Sequence, residues 1–170
     1  MKKTLTAMTL CAFFAVYAGE NFVGNGSFEK VDKAGNVALW GPPASMKLVE
    51  DAPDGKYAVE FTKQPFSQWG FNLPAGKYQV KFMVKKPKAT WLGVRVYCRD
   101  KAQKEIKSKQ LSIYFTKVYP KWTEVSFDIE VPAETNGRGA IIFSPHNGLT
   151  YVDNVRIEKA PDEQKVQPNK

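Results

Sequence analysis

The chain has 170 residues, a formal net charge of +8, two cysteines and a single histidine. This length suits one domain with its own hydrophobic core and gives no reason to expect two. The single histidine, His146, argues against a multi-histidine metal centre and against a histidine-based catalytic triad. The excess of basic residues either keeps the protein soluble or suits an anionic partner such as an acidic polysaccharide.

The first 18 residues have the pattern of a signal peptide. Lys2 and Lys3 precede a mostly apolar run, and Ala18 is the small residue expected before a cleavage site. The apolar run is too short for a transmembrane segment, and no later stretch is longer. We therefore expect a secreted protein, periplasmic or extracellular, with a folded domain over residues 19–159 and a disordered tail over residues 160–170. Export makes nucleic acid an unsuitable partner.

Short apolar alternations separated by turn residues predict an all-β domain. Glycine, proline and asparagine lie between these alternations, as the connections of a sandwich require. No sustained helical period follows the signal peptide. The predicted strands cover residues 45–50, 57–62, 68–73, 77–85, 90–99, 110–115, 122–131, 139–143 and 150–159.

Alternation also assigns side chains to the two faces of each strand. Residues 78, 80, 82 and 84 form one apolar face, and residues 92, 94, 96 and 98 form another. Cys98 is therefore expected to be a buried thiol. It has no disulfide partner once the segment that contains Cys11 has been removed.

The opposite face of the strand over residues 90–99 carries Trp91, Arg95 and Tyr97. Such a row stacks on flat rings while its cations reach oxygen atoms, so it is our candidate ligand-binding surface. Lys81 would belong to this surface if its strand is the neighbour. Trp69 is a further candidate because it lies near a strand start. Alternation nevertheless places it with Phe71 and Leu73 on a predicted buried face. In the alternative interpretation, these aromatic side chains cover the core from the side.

The remaining aromatic residues are interpreted individually. Tyr114 could join the row, depending on a strand register that the sequence leaves open. Trp40 and Trp122 are expected to pack beside turns and strand starts.

Two segments at opposite ends of the domain, residues 21–29 and 151–157, are predicted to lie side by side. Alternation places Asp153 on the same face as Tyr151 and Val155. Because an unpaired buried charge is costly, Asp153 should lie at a rim, accept hydrogen bonds, or bind a cation that could also take Glu29.

Several short motifs resemble, in their order and spacing, those of CenC-like carbohydrate-binding modules that bind cellulose and xylan. The resemblance covers residues 21–159 and implies a galactose-binding-like jelly-roll β-sandwich. The motifs are Asn25-Gly26-Ser27-Phe28-Glu29, Trp40-Gly41, Gly55-Lys56-Tyr57-Ala58-Val59, Gly76-Lys77-Tyr78, Trp122 and Tyr151-Val152-Asp153-Asn154-Val155.

The resemblance implies a function as well as a fold. A protein of this kind binds a polysaccharide or glycan without catalysing a reaction, and here it would work beside an enzyme encoded separately. The resemblance also implies a structural calcium ion, Ca2+, held by Glu29, Asp153 and backbone carbonyls near Gly55 or Lys56. Asn154 stands where the family usually has a second acidic residue.

The sequence is also compatible with two other functions. The sandwich could contact protein as part of a surface or assembly protein. Alternatively, Glu124 and Asp128 share one strand face and could serve as the paired carboxylates of a small glycoside hydrolase. The same two residues also suit the solvated outer face of a strand whose inner face is apolar.

Overall fold

The computed structural model describes residues 20–106, 111–146 and 148–160, and the predicted signal peptide and tail lie outside these residues apart from Ala160. Each strand of the described part overlaps one predicted strand, which confirms the all-β prediction. No helix in this part is long and apolar enough to cross a membrane. The strands are β1 (Lys47–Val49), β2 (Ala58–Phe61), β3 (Phe66–Asn72), β4 (Gly76–Lys86), β5 (Trp91–Asp100), β6 (Ser112–Phe115), β7 (Tyr119–Val131), β8 (Thr135–His146) and β9 (Thr150–Lys159), and a single turn of 3-10 helix spans Pro43–Ser45.

The strands build two antiparallel sheets that form a jelly-roll β-sandwich. One sheet has the order β1-β2-β9-β4-β7 and the other the order β3-β8-β5-β6. The apolar faces predicted for β4 and β5 are buried between the sheets. Phe66 stacks on Phe143 with ring centroids 5.0 Å apart, and Trp40 packs against Phe66 at 5.4 Å. The expectation that Trp40 packs into the domain is thus confirmed.

β4 and β5 lie in different sheets, which corrects the expectation that Lys81 borders the Trp91 face. β4 pairs with β7 and β9, whereas β5 pairs with β6 and β8. Lys81 therefore faces outward from the five-stranded sheet, where its Nζ lies 2.9 Å from Glu158 Oε2. Alternation shows which side of a strand a residue occupies, but it does not show which sheet the strand joins.

The two ends of the domain meet, as predicted, although the first end forms a turn rather than a strand. The backbone N–H of Phe22 donates to the carbonyl of Ile157 at 3.0 Å, and the N–H of Val155 donates to the carbonyl of Gly26 at 2.9 Å. These hydrogen bonds attach the N-terminal segment along β9, so each end satisfies backbone groups of the other.

A β-bulge in β9 changes the face of one predicted residue. The register between β4 and β9 shifts opposite Asp153, and Asn154 has a φ of 49°. Because the bulge inserts an extra residue, Val155 faces the core while Tyr151 faces outward beside Lys85. The prediction that Tyr151 and Val155 share a face was therefore wrong.

Candidate functional site

The outer face of the four-stranded sheet carries the predicted row from β5. Trp91, Arg95 and Tyr97 all point away from the core, since the residues that alternate with them are fully buried. β5 is an inner strand, with β8 on one side and β6 on the other. The row therefore runs along the middle of an exposed sheet.

At one end of this face, Trp69 of β3 and Tyr97 form an aromatic pair. Their ring centroids are 5.1 Å apart, and 55% of Trp69 is exposed. A β-bulge at Gly70, which has a φ of 81°, interrupts the alternation between Trp69 and Phe71. Trp69 consequently faces outward. This corrects the prediction that alternation places it on the buried face of its strand. Its indole N–H donates to Ser67 Oγ at 2.8 Å, which fixes the ring.

At the other end, Trp91 forms a second cluster with Tyr114 and His146. Tyr114, which is 66% exposed, meets Trp91 edge to face with centroids 5.4 Å apart. His146 stacks on Trp91 at 4.7 Å and an interplanar angle of 12°. Tyr114 does join the row. His146 ends β8 directly opposite Trp91, a contact that only the strand register reveals.

The strip between the two aromatic clusters is low at the Trp91 end, and beyond it the paired residues Arg95 and Ile142 face outward. Gly93 lies between them on β5, opposite Ser144 of β8 and Tyr114 of β6. A Cβ atom on Gly93 would lie 3.2 Å from the ring of Tyr114 and 3.3 Å from that of Trp91. The clusters stand six residues apart on β5, which corresponds to roughly 20 Å. The face is therefore a shallow cleft with an aromatic wall at each end, a low floor beside Trp91, and Arg95 standing between that floor and Tyr97.

The cleft also carries positive charge. The guanidinium carbons of Arg95 and Arg99 lie 5.9 Å and 5.7 Å from the ring centre of Tyr97. Arg95 forms an ion pair with Glu105, so its charge is largely neutralised within the protein. Arg99 and Arg138 have no acidic partner among the described residues, and both are exposed at the Trp69 end. The positive charge of this face thus favours ligands whose oxygen atoms carry negative or partial negative charge.

A second group of interest lies where the two ends of the domain meet. Asp153 is fully buried. Its Oδ1 accepts a hydrogen bond from the N–H of Asn154 at 2.7 Å, whereas its Oδ2 is buried without any hydrogen-bond partner in the described residues. Burial is the main cause that raises the pKa of this carboxyl to about 7; the backbone N–H groups of Asn154 and Asp54 oppose the rise, and the nearby carboxylates of Asp54 and Glu29 add to it. An orphaned carboxylate oxygen in a negative environment is costly unless a cation or a proton neutralises it.

Glu29 is held close to this carboxylate by the loop after β1. Its Oε1 accepts hydrogen bonds from the N–H groups of Lys56 at 2.8 Å and of Tyr57 at 2.7 Å. A Cβ on Gly55 would lie 2.6 Å from the same oxygen. In the described part of the chain, no group of three or more acidic, histidine or cysteine side chains has metal-binding geometry. The unsatisfied oxygen of Asp153 nevertheless fits a calcium ion, provided that backbone carbonyls supply further oxygen ligands.

The residues considered for catalysis lie elsewhere. Glu124 forms an ion pair with Arg156, and Asp128 accepts a hydrogen bond from Gln79 at 3.1 Å, both on the outer face of the five-stranded sheet. Cys98 is buried, and burial raises the pKa of its thiol to about 11, so the reactive thiolate is suppressed. The cleft itself brings together no pair of carboxylates among the described residues.

The fold places the chain in the class of jelly-roll β-sandwiches that includes carbohydrate-binding modules, and solved structures of such modules resemble it. A family 61 module in complex with β-1,4-galactotriose has a TM-score of 0.56 and 22% identity, and the match covers 84% of this chain and 100% of that module. The second family 16 module has a TM-score of 0.61 and 16% identity, with 82% and 100% covered. The CBM22-1 xylan-binding domain from Paenibacillus barcinonensis Xyn10C has a TM-score of 0.59 and 16% identity, with 85% and 98% covered.

These likenesses confirm the fold that the sequence motifs led us to expect. No protein-family model matches the sequence, and no curated protein matches it. At the identities found, the comparisons establish a shared architecture, while the ligand must be inferred from the side chains on the sheet.

Proposed function

We propose that this protein binds a polysaccharide or glycan along the outer face of its four-stranded sheet. The observation that supports this most directly is the spacing of two exposed aromatic clusters, around Trp69 and Trp91, along one outward face that also carries Arg95. Aromatic rings exposed on a protein surface are unfavourably hydrated, and stacking on a ligand with a flat, partly apolar face relieves this cost. The neighbours in complex with β-1,4-galactotriose or described as xylan-binding support the same class of ligand.

Removing either tryptophan should weaken binding without unfolding the domain. Trp91→Ala and Trp69→Ala should each lower affinity about 10- to 30-fold, because a central aromatic contact is typically worth about 2 kcal/mol. Retention in affinity gels that contain xylan, galactan, glucan or acidic polysaccharides measures the effect, and circular dichroism checks the fold.

Trp122→Ala is the matched control for these variants. Trp122 lies on the opposite sheet, where it packs against Tyr151 with ring centroids 6.4 Å apart. Its removal should leave retention unchanged. Failure of the wild-type protein to bind any neutral or acidic polysaccharide would overturn the proposal and favour protein contacts on this face instead.

The binding is proposed to occur without catalysis. Glu124 and Asp128 are occupied by Arg156 and Gln79 and lie on the sheet opposite the cleft. We therefore expect no release of reducing sugar from any polysaccharide that the protein retains. Reducing-sugar release that disappears in Glu124→Ala or Asp128→Ala would contradict this and identify a glycoside hydrolase.

We further propose that the protein is secreted and acts on an external glycan, in keeping with the signal-peptide pattern of residues 1–18. Without Lys2 and Lys3 of that segment, the formal net charge falls from +8 to +6. This charge favours a glycan that carries acidic groups, as do Arg99 and Arg138, which have no acidic partner among the described residues. A binding protein of this kind would work beside an enzyme encoded separately, which it would bring to the same polysaccharide.

A structural calcium ion at Asp153 and Glu29 completes the proposal. The ion would neutralise the buried carboxylate of Asp153 and tie the N-terminal turn to β9. Because calcium would bind the folded state alone, it would stabilise the domain rather than take part in binding glycan.

A further inference from the structure

A pocket opens beside Trp91, at the end of the cleft. Its volume is about 500 Å³ and its lining is formed by Ala89, Thr90, Trp91, Thr116 and His146. Pockets of several hundred Å³ are typical of sites for small ligands. The lining therefore has room for one sugar ring, with the stacked rings of Trp91 and His146 as an aromatic wall.

The pocket has a charge that the sequence did not reveal. Lys86, the last residue of β4, is fully buried directly behind the lining. Its ammonium donates to the carbonyl of Thr90 and, at 3.4 Å, to the carbonyl of Thr116. Both acceptors belong to residues that line the pocket, so Lys86 connects the two walls from behind.

Lys86 has no acidic partner in the described part of the chain. Lysine is almost never fully buried unless it is paired, because the desolvation of an ammonium is costly. Burial accordingly lowers the pKa of Lys86. An anion that bound nearby would reverse this effect, since it would supply the missing counter-charge.

Two further features of the lining agree with an anionic ligand. None of the lining residues is acidic. The hydroxyl of Thr90 is buried and lacks a hydrogen-bond partner among the described residues. This hydroxyl is shielded from solvent beside Gly148, so it would have to rotate before it could donate to a ligand in the pocket.

We propose that this pocket is a subsite for a sugar that carries an anionic group, either a carboxylate or a sulfate ester. The sugar ring lies against Trp91 and His146, and its anion is held by the field of Lys86. The inference rests on the proposed function, because the pocket continues the cleft in which the rest of the glycan would lie.

Lys86 acts as a positioning residue, not as a direct ligand. It is inaccessible to the glycan, so its effect is electrostatic and extends through the backbone of Thr90 and Thr116. Arg95 cannot replace it, since Glu105 already neutralises that charge. Arg99 lies beside Tyr97, at the far end of the cleft. The proposed anion subsite at the Trp91 end is therefore distinct from the exposed arginine at the Tyr97 end of the cleft.

The experiment compares ligands that differ only in charge. Glucuronoxylan is compared with the same polymer after its carboxyl groups have been reduced to alcohols, and dextran sulfate is compared with dextran. We expect the protein to bind at least one charged polymer about five- to tenfold more tightly than its neutral counterpart, the size expected for one partly shielded charge. The pair that shows the preference identifies the anion as carboxylate or sulfate.

Two substitutions test the location of the anion. Lys86→Met removes the buried charge and keeps the length of the side chain, and it should abolish the preference. Ala89→Glu adds a carboxylate to the exposed lining and should abolish the preference as well. If Lys86→Met does not fold, as judged by circular dichroism, the variant at residue 89 decides the question.

Each substitution has a control with the same change in net charge. Lys88→Met removes a lysine from the same loop, and Ala133→Glu adds a carboxylate to an exposed turn at the opposite end of β8 from the pocket. Both controls should keep the preference. A preference that survives in Ala89→Glu would overturn the proposed subsite.

Equal binding of charged and neutral polymers by the wild-type protein would also overturn it. In that case the proposed function would stand, because the neutral polymers would still be bound. If no polymer is bound at all, both proposals fail.

Discussion

In EDTA, the domain should lose about 4 kcal/mol of stability as the pH rises from about 4 to 8, and calcium should abolish most of this loss. The pKa of Asp153 is about 7 in the folded protein, against 3.8 for the unperturbed group. The folded state therefore holds a proton that the unfolded chain releases. Stability from this group is complete below the lower value and falls as the pH rises through the higher one, by about 1.4 kcal/mol for each unit of difference.

Calcium should remove this pH dependence because it takes the place of the proton. A bound ion stabilises the ionised carboxylate, lowers its pKa and stabilises the folded state by mass action. Denaturant unfolding at pH 4, 5, 6, 7 and 8, with EDTA or with millimolar calcium, measures both effects. Exposed carboxylates contribute a pH dependence of their own, so the informative quantity is the difference between the wild-type protein and Asp153→Asn.

Asp153→Asn should eliminate both the calcium response and the extra loss of stability at high pH. The amide keeps the size of the side chain and carries no charge to desolvate. Asp128→Asn is the matched control: it changes an exposed aspartate of β7 and should leave both effects intact. If calcium leaves the stability of the wild-type protein unchanged at pH 8, the metal proposal fails, while the pH dependence in EDTA can still be judged.

The strands and the core were predictable because each depends on local alternation. The buried faces of β4 and β5 follow from a period of two, and the turns between strands follow from glycine and proline. Alternation gave the wrong face for Trp69 and for Tyr151, because a β-bulge interrupts the strand that contains each of them. Gly70 was a signal for the first bulge, since an isolated glycine in a strand often marks one. Asn154, which tolerates positive φ, was a weaker signal for the second.

Residues whose role depends on strand order could not be placed from the sequence. Lys81 and Arg95 sit at similar points of adjacent strands in the chain, yet the connection after β4 crosses to the other sheet. His146 and Lys86 were also overlooked as parts of the site. One is brought to Trp91 by the register of β8, and the other approaches the pocket from behind, across the sandwich. The contact of His146 with Trp91 joins distant parts of the chain and leaves no periodic trace, whereas Lys86 continues the buried alternation of Val84, a signal that was overlooked.

Gly26→Ala should destabilise the domain by about 3 kcal/mol or more, because the new methyl group would collide with backbone rather than with a movable side chain. A Cβ at this position would lie 1.9 Å from the carbonyl oxygen of Val155. Relieving the collision would break the hydrogen bond from the N–H of Val155 to the carbonyl of Gly26. The melting temperature should fall by roughly 6–12 °C for a domain of this size.

Gly24→Ala is the matched control in the same turn. Its Cβ would approach only the tip of Leu39, at 2.7 Å, and Leu39 is 68% exposed and free to move. The control should therefore cost less than about 1 kcal/mol. Gly26→Ala should also weaken the response to calcium, because it pushes the segment that carries Glu29 away from β9. Equal melting temperatures for the two variants would mean that the N-terminal turn yields easily, and the contact with β9 would then not be what holds the ends of the domain together.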